Sequence, residues 1–563
     1  MKRLVAISLY LLVARVAGDT FNFWCAKPYN ATAPQFQGYN MGWPDGSYDL
    51  PHGLEYHKIK VVQGQLPYVT TDTDASVVAF VPSGVFDQTG QMNITISIPD
   101  LNAVQSIGPS DAFSGVSFAA DISSLQPGRQ RLAADVTYSK FSNFTEYQAY
   151  LDTVYLDVYV VPQSNNTVVA LEASTQGISV NGGEAFFPIG YYVDNGAMFA
   201  SDLSAADAFV KQYASEGYNV LMHSGPITSN STQVEWTLDL CQKYGIYYQA
   251  DVTDLTGNIT GLALFVSQWA DHPGLLSYYI GNEPDGNIGI GSFEPVQSKF
   301  AYDFLKFNDP YHPVTLVTNC AHTLPLFAEN VDFIMNDIYS VGIPDHYQGL
   351  VCNETGGDCG CDLCDGTNPV KAIATRFEGL YSDLGVNYPA ITFVEQTFYD
   401  NTSYWSRPPT YSEEFGMAWL SIISGGSGVL GYTYPVTGVP TTYPQLGLAL
   451  ADFAQYMSTN GSLATHTVLS GPRVFYNSQQ SVYIASWSSG YTVVINTDYN
   501  SKSSFAVSAA DLGIGSAVSK LSSQSLGRNV SSNAVQPIAL QSGILFDSVE
   551  PLGVKIYYTS ESR

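Results

Sequence analysis

The stretch Tyr279-Ile280-Gly281-Asn282-Glu283-Pro284 closes an apolar run of the chain with a polar pair, asparagine followed by glutamate. About a hundred residues later a second apolar run, Pro389–Val394, ends in Glu395. Short apolar runs bounded by turn residues are typical of buried parallel strands, and polar residues at their carboxyl ends favour a shared site. We therefore predict that Glu283 and Glu395 end two strands of one parallel sheet.

Strand-like and helix-like segments alternate around these two glutamates. The predicted strands are Phe186–Val193, Tyr218–His223, Ile246–Val252, Leu275–Gly281, Val314–Thr318, Phe333–Ile338, Pro389–Glu395 and Gly428–Tyr434. The predicted helices are Leu203–Glu216, Thr232–Tyr244, Leu262–Asp271, Pro295–Asn308, Leu324–Asn330, Pro369–Tyr381, Ser412–Ser424 and Leu446–Met457. Eight strand–helix units over about 280 residues predict an α/β fold, the (β/α)8 TIM barrel, with the two glutamates on strands four and seven.

The sequence on either side of the barrel has the character of β-sheet. Short runs rich in Val, Ile, Tyr and Thr are bounded by Gly, Pro, Asn or Asp, and Tyr155–Val160 alternates as a half-buried strand does. We predict a signal peptide at 1–18, an N-terminal β-sandwich domain at 19–180, the barrel at 181–460 and a C-terminal β-sandwich domain at 461–563.

The amino terminus has the pattern of a secretory signal. Lys2 and Arg3 precede the apolar run Leu4–Ala14, and Val16–Gly18 supplies small residues for cleavage. No later stretch is long and apolar enough to span a bilayer, and no hydrophobic tail for a lipid anchor follows the last predicted strand. We expect a secreted protein, extracellular or in a cell wall, without a membrane anchor.

Glycosylation sequons and charge agree with export. Asn-X-Ser/Thr sequons without proline begin at Asn30, Asn93, Asn143, Asn165, Asn230, Asn258, Asn353, Asn401, Asn460 and Asn529. The formal net charge of −28 argues against nucleic acid and anionic membranes, because both require basic surfaces.

Four of the seven cysteines are clustered. Cys352, Cys359, Cys361 and Cys364 lie in one Gly- and Asp-rich loop. In an exported protein, two disulfides are favoured there over a zinc site. The other three cysteines are interpreted separately: buried thiols for Cys241 and Cys320, and no obvious partner for Cys25.

Two glutamates at strand ends match double displacement at a glycosidic bond. One carboxyl protonates the leaving oxygen while the other attacks the anomeric carbon from the opposite face. Inverting chemistry would need the carboxyls roughly 6.5–9.5 Å apart rather than about 5–5.5 Å. Neither mechanism requires a metal or a cofactor, so we expect none.

The arrangement resembles the retaining glycoside hydrolases of clan A. The segments Gly281–Glu283, Asn336–Tyr339 and Gly428–Tyr434 are also similar to the fungal β-1,3-glucanosyltransferases. A β-sandwich before the barrel is more like the β-galactosidase and β-glucuronidase family. The resemblance covers the barrel and assigns no single family.

The clan resemblance implies roles for the strand-end residues. It makes Glu283 the acid/base and Glu395 the nucleophile, and it places Tyr339 against the nucleophile. Asn282 would donate to the sugar 2-hydroxyl, a contact that strengthens in the transition state. Further candidates for binding sugar at strand ends and in loops are His223, His322, Asn336, Tyr432 or Tyr434, and Trp405.

The sequence therefore favours a retaining β-glycoside hydrolase that acts on a cell-wall polysaccharide or oligosaccharide, with β-glucan the first candidate. A transglycosylase similar to the β-1,3-glucanosyltransferases shares the same first half-reaction and stays open. So does a non-catalytic carbohydrate-binding wall protein. Sugar, linkage, endo or exo action and oligomeric state are not decided by these patterns.

Overall fold

The structure is a computed structural model of the 563-residue chain. It describes residues 23–25, 27–28, 59–73, 75–81, 92–108, 115–142, 146–163, 167–199, 202–287, 295–320, 324–343, 346–347, 350–351, 368–386, 388–398, 405–435, 443, 445–458, 463–470, 473–477, 481–515, 518–528 and 534–559. The predicted signal peptide, His322 and the four clustered cysteines lie outside the described residues.

Eight parallel strands close into a barrel in chain order, which confirms the predicted fold class. The strands are β1 Ile189–Val193, β2 Val220–His223, β3 Tyr247–Asp251, β4 Leu275–Asn282, β5 Val314–Thr318, β6 Ile334–Ile338, β7 Ile391–Gln396 and β8 Gly426–Tyr434. The last strand pairs with the first, so the sheet has no free edge.

One helix follows each barrel strand and packs on its outer face. These helices are α1 Leu203–Ser215, α2 Ser231–Tyr244, α3 Ile259–Trp269, α4 Pro295–Asn308, α5 Leu324–Ala328, α6 Pro369–Leu384, α7 Tyr411–Ser424 and α8 Leu448–Ser458. Shorter helical segments are Pro99–Leu101, Asn195–Met198, Thr253–Leu255, Pro284–Asn287, Leu463–His466 and Val468–Ser470.

Helix α7 is fixed at both ends. Thr410 and Glu413 form a capping box, in which each side chain accepts from the other residue's backbone N–H, and Gly425 ends the helix in the left-handed conformation. Glu413 also pairs with Arg407 through two contacts of 2.8 and 2.7 Å. These contacts fix the residues at which α7 begins and ends.

The residues before the barrel form three antiparallel or mixed sheets and one hairpin. A five-stranded sheet contains Tyr68–Val69, Glu146–Val161, Gly128–Ser142, Met92–Ile98 and Ala103–Ile107. Two three-stranded sheets contain Lys60–Gln63, Ser76–Phe80 and Val116–Ala119, and Ile178–Val180, Val169–Glu172 and Gln65–Leu66. The hairpin is Phe23–Trp24 with Lys27–Pro28. One apolar core lies between the first two sheets, as in a sandwich.

The residues after the barrel are again β-sheet. A six-stranded sheet contains Arg473–Asn477, Val482–Trp487, Thr492–Asn496, Val554–Tyr558, Lys520–Leu526 and Gln536–Ala539. It shares an apolar core with the pair Ser503–Ser508 and Ile544–Val549. A short hairpin of His346–Tyr347 and Leu350–Val351 follows β6. Within the described ranges, no helix is long and apolar enough to cross a membrane.

Successive side chains of each barrel strand alternate between two cores. In β6, Met335 belongs to the cluster that fills the barrel, whereas Ile334 and Ile338 belong to the cluster between strands and helices. In β7, Val394 faces the interior and Phe393 faces the helices. This period-two alternation decides which strand-end side chains reach the barrel's mouth.

Candidate functional site

A cavity of about 760 Å3 opens at the carboxyl ends of the barrel strands. This is the end at which TIM barrels carry their active sites. It is lined by Tyr192, Met222, Ser224, Gly225, Pro226, Asp251, Thr253, Tyr279, Asn282, Glu283, Asn319, Asp337, Tyr339, Phe398, Trp405 and Tyr432. Of the residues predicted from sequence, the structure thus brings together Asn282, Glu283, Tyr339, Trp405 and Tyr432.

Glu283 follows β4 and is half-buried at the cavity wall. Its backbone N–H donates to the Val317 carbonyl at 3.0 Å, and its φ of 46° lies in the left-handed region. A non-glycine residue rarely adopts this conformation, which is held only where surrounding contacts determine it. The turn after Glu283 supplies those contacts.

The buried carboxylate of Asp285 fastens that turn to the end of β5. It accepts from the backbone N–H of Asn319 at 2.9 Å and of Cys320 at 2.7 Å. Cys320 forms a disulfide with Cys25, whose N–H donates to the Gly286 carbonyl at 3.0 Å. The predicted thiol at Cys320 and the unpaired Cys25 were therefore wrong, because nothing in the sequence places residues 295 positions apart at one strand end. Cys241 is a buried free thiol, as predicted.

A second carboxyl group, Asp337, shares the cavity with Glu283. The two groups lie within hydrogen-bonding reach of each other, and the Tyr339 hydroxyl lies within reach of Asp337. Burial raises the pKa of Glu283, and the hydrogen bond to Asp337 opposes that rise. Burial, and then the charge of Glu283, raise the pKa of Asp337 well above its usual range. Two like charges this close repel each other, which favours a state of the pair in which the two carboxyls share one proton.

Asp251, at the end of β3, is the third acid of the cavity and is 3% exposed. Its Oδ1 accepts from the Thr253 backbone N–H at 3.0 Å and from the Thr253 hydroxyl at 2.7 Å. Burial raises the pKa of Asp251 to about 6 despite these hydrogen bonds. On the neighbouring strand, the Tyr279 hydroxyl donates to Asn282 Oδ1 at 2.8 Å, which fixes the orientation of that amide.

Aromatic rings form one wall of the cavity. The Phe398 ring centroid lies 4.9 Å from that of Trp405, 5.1 Å from Tyr339 and 5.7 Å from Tyr432. The Trp405 indole N–H donates to the Tyr339 carbonyl at 3.1 Å, which fixes the ring on the cavity wall. Rigid aromatic faces beside carboxyl groups suit a ligand with apolar C–H faces and many hydroxyls, such as a sugar ring.

The structure does not bring Glu395 into this cavity, so its position does not support the predicted nucleophile. Phe393, two residues earlier, packs against Phe377 of α6, and alternation turns Glu395 to the same outer side. Glu395 is fully buried beside Glu414 of α7, and neither carboxylate oxygen has a hydrogen-bond partner among the described residues. Burial, and then the charge of Glu414, raise the pKa of Glu395 well above its usual range.

Three other candidates also face the helices rather than the cavity. His223 follows the inward-facing Met222 and contacts the Thr237 hydroxyl at 3.0 Å. Asn336 lies between two inward-facing residues and donates to the Thr318 carbonyl at 3.0 Å. Tyr434 packs among outer-layer aromatics such as Tyr213. Each was predicted from its place at a strand end, but the pleat puts its side chain on the other face.

The sequence reasoning missed Asp337, Asp251 and Phe398. One signal could have found Asp337. Side chains two residues apart on a strand point to the same face, so Asp337 lies on the face of Tyr339, which was predicted to face the site, and Asn336 lies on the opposite face. In β7 the position that shares the inward parity of Val394 is Gln396 and not Glu395. Gln396 exchanges two hydrogen bonds with the Val341 backbone, at 2.8 and 3.0 Å.

Comparisons with known proteins give similarities of fold. No family model and no curated protein matches the chain. A solved structure described as a glycoside hydrolase aligns with 13% identity over 70% of this chain and 97% of its own, with a TM-score of 0.48. A family 5 glycoside hydrolase from Bacteroides vulgatus aligns with 13% identity over 70% of this chain and 94% of its own, with a TM-score of 0.47. A putative glycoside hydrolase from the same organism aligns with 12% identity over 83% of this chain and 94% of its own, with a TM-score of 0.45.

Proposed function

We propose that this chain is a retaining β-glycoside hydrolase whose two catalytic carboxyls are Glu283 and Asp337. The observation that carries the proposal is one hydrogen-bonded carboxyl pair, in which burial raises the pKa of both groups, in an aromatic-walled cavity at the catalytic end of a TIM barrel. Double displacement needs one protonated and one ionised carboxyl in close proximity. This contact brings the two carboxyls closer together than the roughly 6.5–9.5 Å of an inverting pair. It is also closer than the about 5–5.5 Å of a retaining pair, so the two side chains must separate when a sugar binds.

We assign the acid/base role to Glu283 and the nucleophilic role to Asp337. Glu283 is half-buried at the wall, where a departing sugar would leave, whereas Asp337 is 5% exposed and lies deeper. Oδ1 of Asp337 has no hydrogen-bond partner among the described residues, and Tyr339 can stabilise the carboxylate. The hydrogen bond between the two carboxyls is a direct path for a shared proton from Asp337 to Glu283.

The reaction then balances in two steps. Asp337 attacks the anomeric carbon, the glycosidic bond breaks, and the Glu283 proton passes to the leaving oxygen. Glu283 next removes a proton from water, whose oxygen displaces Asp337 from the same carbon and regenerates both groups. Two inversions give retention. A sugar acceptor in place of water would make the chain a transglycosylase, as in β-1,3-glucanosyltransferases.

The substrate class follows from the sequence prediction and the cavity. Aromatic faces and hydrogen-bonding groups suit a polysaccharide or oligosaccharide, and β-glucan of a cell wall remains our first candidate. Expected secretion is consistent with two described sequons. Asn230 and Asn258 are exposed and cap α2 and α3 through Oδ1, so Nδ2, the atom that carries a glycan, is not used in the cap.

One observation favours the second candidate, a carbohydrate-binding protein without turnover. Strand β7 contributes no carboxyl to the cavity, because Glu395 faces outward and Gln396 is bonded to the Val341 backbone. Turnover decides between the two. We expect hydrolysis of at least one of a panel of aryl β-glycosides, with a β-configured first product by NMR. An α-configured first product, or sugar binding without any turnover, would reject the proposed function.

A further inference from the structure

The cavity contains three acidic side chains, Asp251, Glu283 and Asp337. Among the lining residues that the structure describes, none is lysine, arginine or histidine. Sites that bind a sugar carboxylate or sulfate generally present arginine or lysine to it, since a buried anion needs a paired cation. The charge of this cavity is therefore of the wrong sign for an acidic ligand.

The sequence of the segments that follow the barrel strands is also poor in lysine and arginine. The segments that follow the eight strands, 194–202, 224–230, 252–258, 283–294, 319–323, 339–368, 397–410 and 435–447, contain no lysine and one arginine, Arg407. Two histidines, His322 and His346, are their other basic residues, and acidic residues are frequent in the 283–294 and 339–368 segments. Lysine and arginine are therefore scarce in the sequence of these segments.

Two arginines, Arg407 and Arg376, lie near the catalytic end of the barrel and already hydrogen-bond to protein groups. Arg407 binds Glu413 through both terminal nitrogens, at 2.8 and 2.7 Å. Arg376 of α6 is buried and donates to the carbonyl of Asn319, the residue that follows β5, at 3.2 Å. Releasing either one toward a ligand would leave a buried partner without its hydrogen bond, and such a change is unfavourable.

We propose, building on the proposed function, that the cavity selects neutral sugars and rejects uronates and other negatively charged sugars, with Asp251 as a specificity-determining residue. A neutral sugar offers hydroxyl donors to carboxylate acceptors, whereas a uronate adds a like charge to a partly buried acidic site. Asp251 is well placed for this role because it lies on β3, whereas Glu283 follows β4 and Asp337 lies on β6. Its substitution therefore leaves the reacting pair in place.

The test uses substrates that differ only at C6. Nitrophenyl β-glucoside is compared with nitrophenyl β-glucuronide, and β-galactoside with β-galacturonide, at pH 7.5. We expect kcat/KM to favour the neutral member of the better pair by at least 100-fold, and the ratio to shrink as salt is raised from 20 to 500 mM. Asp251→Asn should lower the ratio at least fivefold. Asp511→Asn, an exposed change in the C-terminal sheet region, should leave it unchanged.

The outcomes separate this proposal from the proposed function. Turnover of the uronide equal to or better than the neutral sugar overturns the selectivity while leaving the hydrolase intact. If no aryl glycoside is turned over, the hydrolase fails, and the selectivity is then decided by binding. Trp405 on the cavity wall provides a fluorescence signal for neutral oligosaccharides against oligouronides. Tighter binding of the neutral series supports the proposal, and equal binding or none overturns it.

Discussion

Glu395 of β7 and Glu414 of α7 lie together in the sealed layer between the barrel and its helices, close enough for the charge of one to raise the pKa of the other. Glu414 accepts a hydrogen bond from the Gly447 backbone at 3.0 Å, and burial raises its pKa to about 8. Among the residues that the structure describes, none donates a hydrogen bond to Glu395. We infer that Glu395 is neutral in the folded protein at pH 7.

Glu395→Gln should therefore stabilise the protein at neutral pH and leave catalysis unchanged. The raised pKa of folded Glu395 lowers the free energy of unfolding as pH rises above the ordinary carboxyl range, since only the unfolded chain then ionises. Glutamine removes this effect. We expect a gain in Tm of about 2–4 °C at pH 7.5, as for roughly 1 kcal/mol in a domain of this class, and almost none at pH 4.

Activity of the same variant gives an independent reading. Unchanged kcat/KM is expected because Glu395 does not line the cavity. A loss of several orders of magnitude would return the nucleophile to Glu395, as the sequence pattern predicted, and would require β7 to present its other face to the substrate.

Asp337→Asn and Glu283→Ala should differ in their signatures. Loss of the nucleophile should lower kcat/KM by at least about 10³-fold on every substrate. Loss of the acid should leave the first step intact on a dinitrophenyl glycoside, whose leaving group needs no proton, and abolish turnover of an oligosaccharide. Azide should rescue Glu283→Ala and release a β-glycosyl azide. Rescue of Asp337→Asn with an α-glycosyl azide is the control, since azide then replaces the nucleophile itself. The reverse pattern would exchange the two roles.

Tyr339→Phe should shift the pH profile toward higher pH. The hydroxyl of Tyr339 lowers the pKa of Asp337, and phenylalanine removes that hydrogen bond while keeping the ring against Phe398. Asp337 will then ionise at higher pH, so the acid limb of kcat/KM should move upward. A profile reduced in height but unmoved in pH would mean that the hydroxyl acts only on packing or substrate contacts.

The Cys25–Cys320 disulfide should affect the site more than the rest of the fold. Cys25→Ser/Cys320→Ser removes the covalent link beside the Asp285 turn that holds Glu283. We expect a loss in kcat/KM of about tenfold, with an unchanged far-ultraviolet circular dichroism spectrum, because the closed barrel remains. A loss of activity that tracks unfolding at every temperature would show a general structural role instead.

Trp405→Ala should weaken substrate binding with little effect on the chemical step. The indole is a cavity wall and not a proton carrier, so KM should rise about tenfold or more while kcat on an activated substrate stays within a few-fold. Trp269→Ala is the matched control, because this tryptophan lies on α3 outside the cavity. An equal effect of both substitutions would argue against stacking at Trp405.

The barrel was predictable because its signal is repeated. Eight apolar runs separated by helical segments leave few other topologies. The predicted end of the strand before Glu283, Gly281, is one residue from the observed end, Asn282. Whether an individual side chain points into the barrel or toward the helices was not predictable in the same way. A run such as Ile391–Gln396 is buried on both faces, so its apolar pattern does not reveal which parity points inward.

Contacts between residues far apart in the chain could not be predicted from the sequence either. The hydrogen-bonding reach between Glu283 and Asp337, and the bond between Cys25 and Cys320, join residues far apart in sequence. No local period encodes such contacts. Asp337 was visible in the sequence only as part of a segment similar to the glucanosyltransferases, and only closure of the barrel places it beside Glu283.

The disulfide also changes the covalent connectivity of the chain. By joining Cys25 to Cys320 it turns the first sheets and five of the eight barrel strands into one covalent ring. A single proteolytic cut anywhere inside that ring would release no fragment, and the nicked protein would migrate as one species until it was reduced. A cut beyond residue 320 has no such protection from this bond, so limited proteolysis with and without reductant can locate each cleavage relative to the ring.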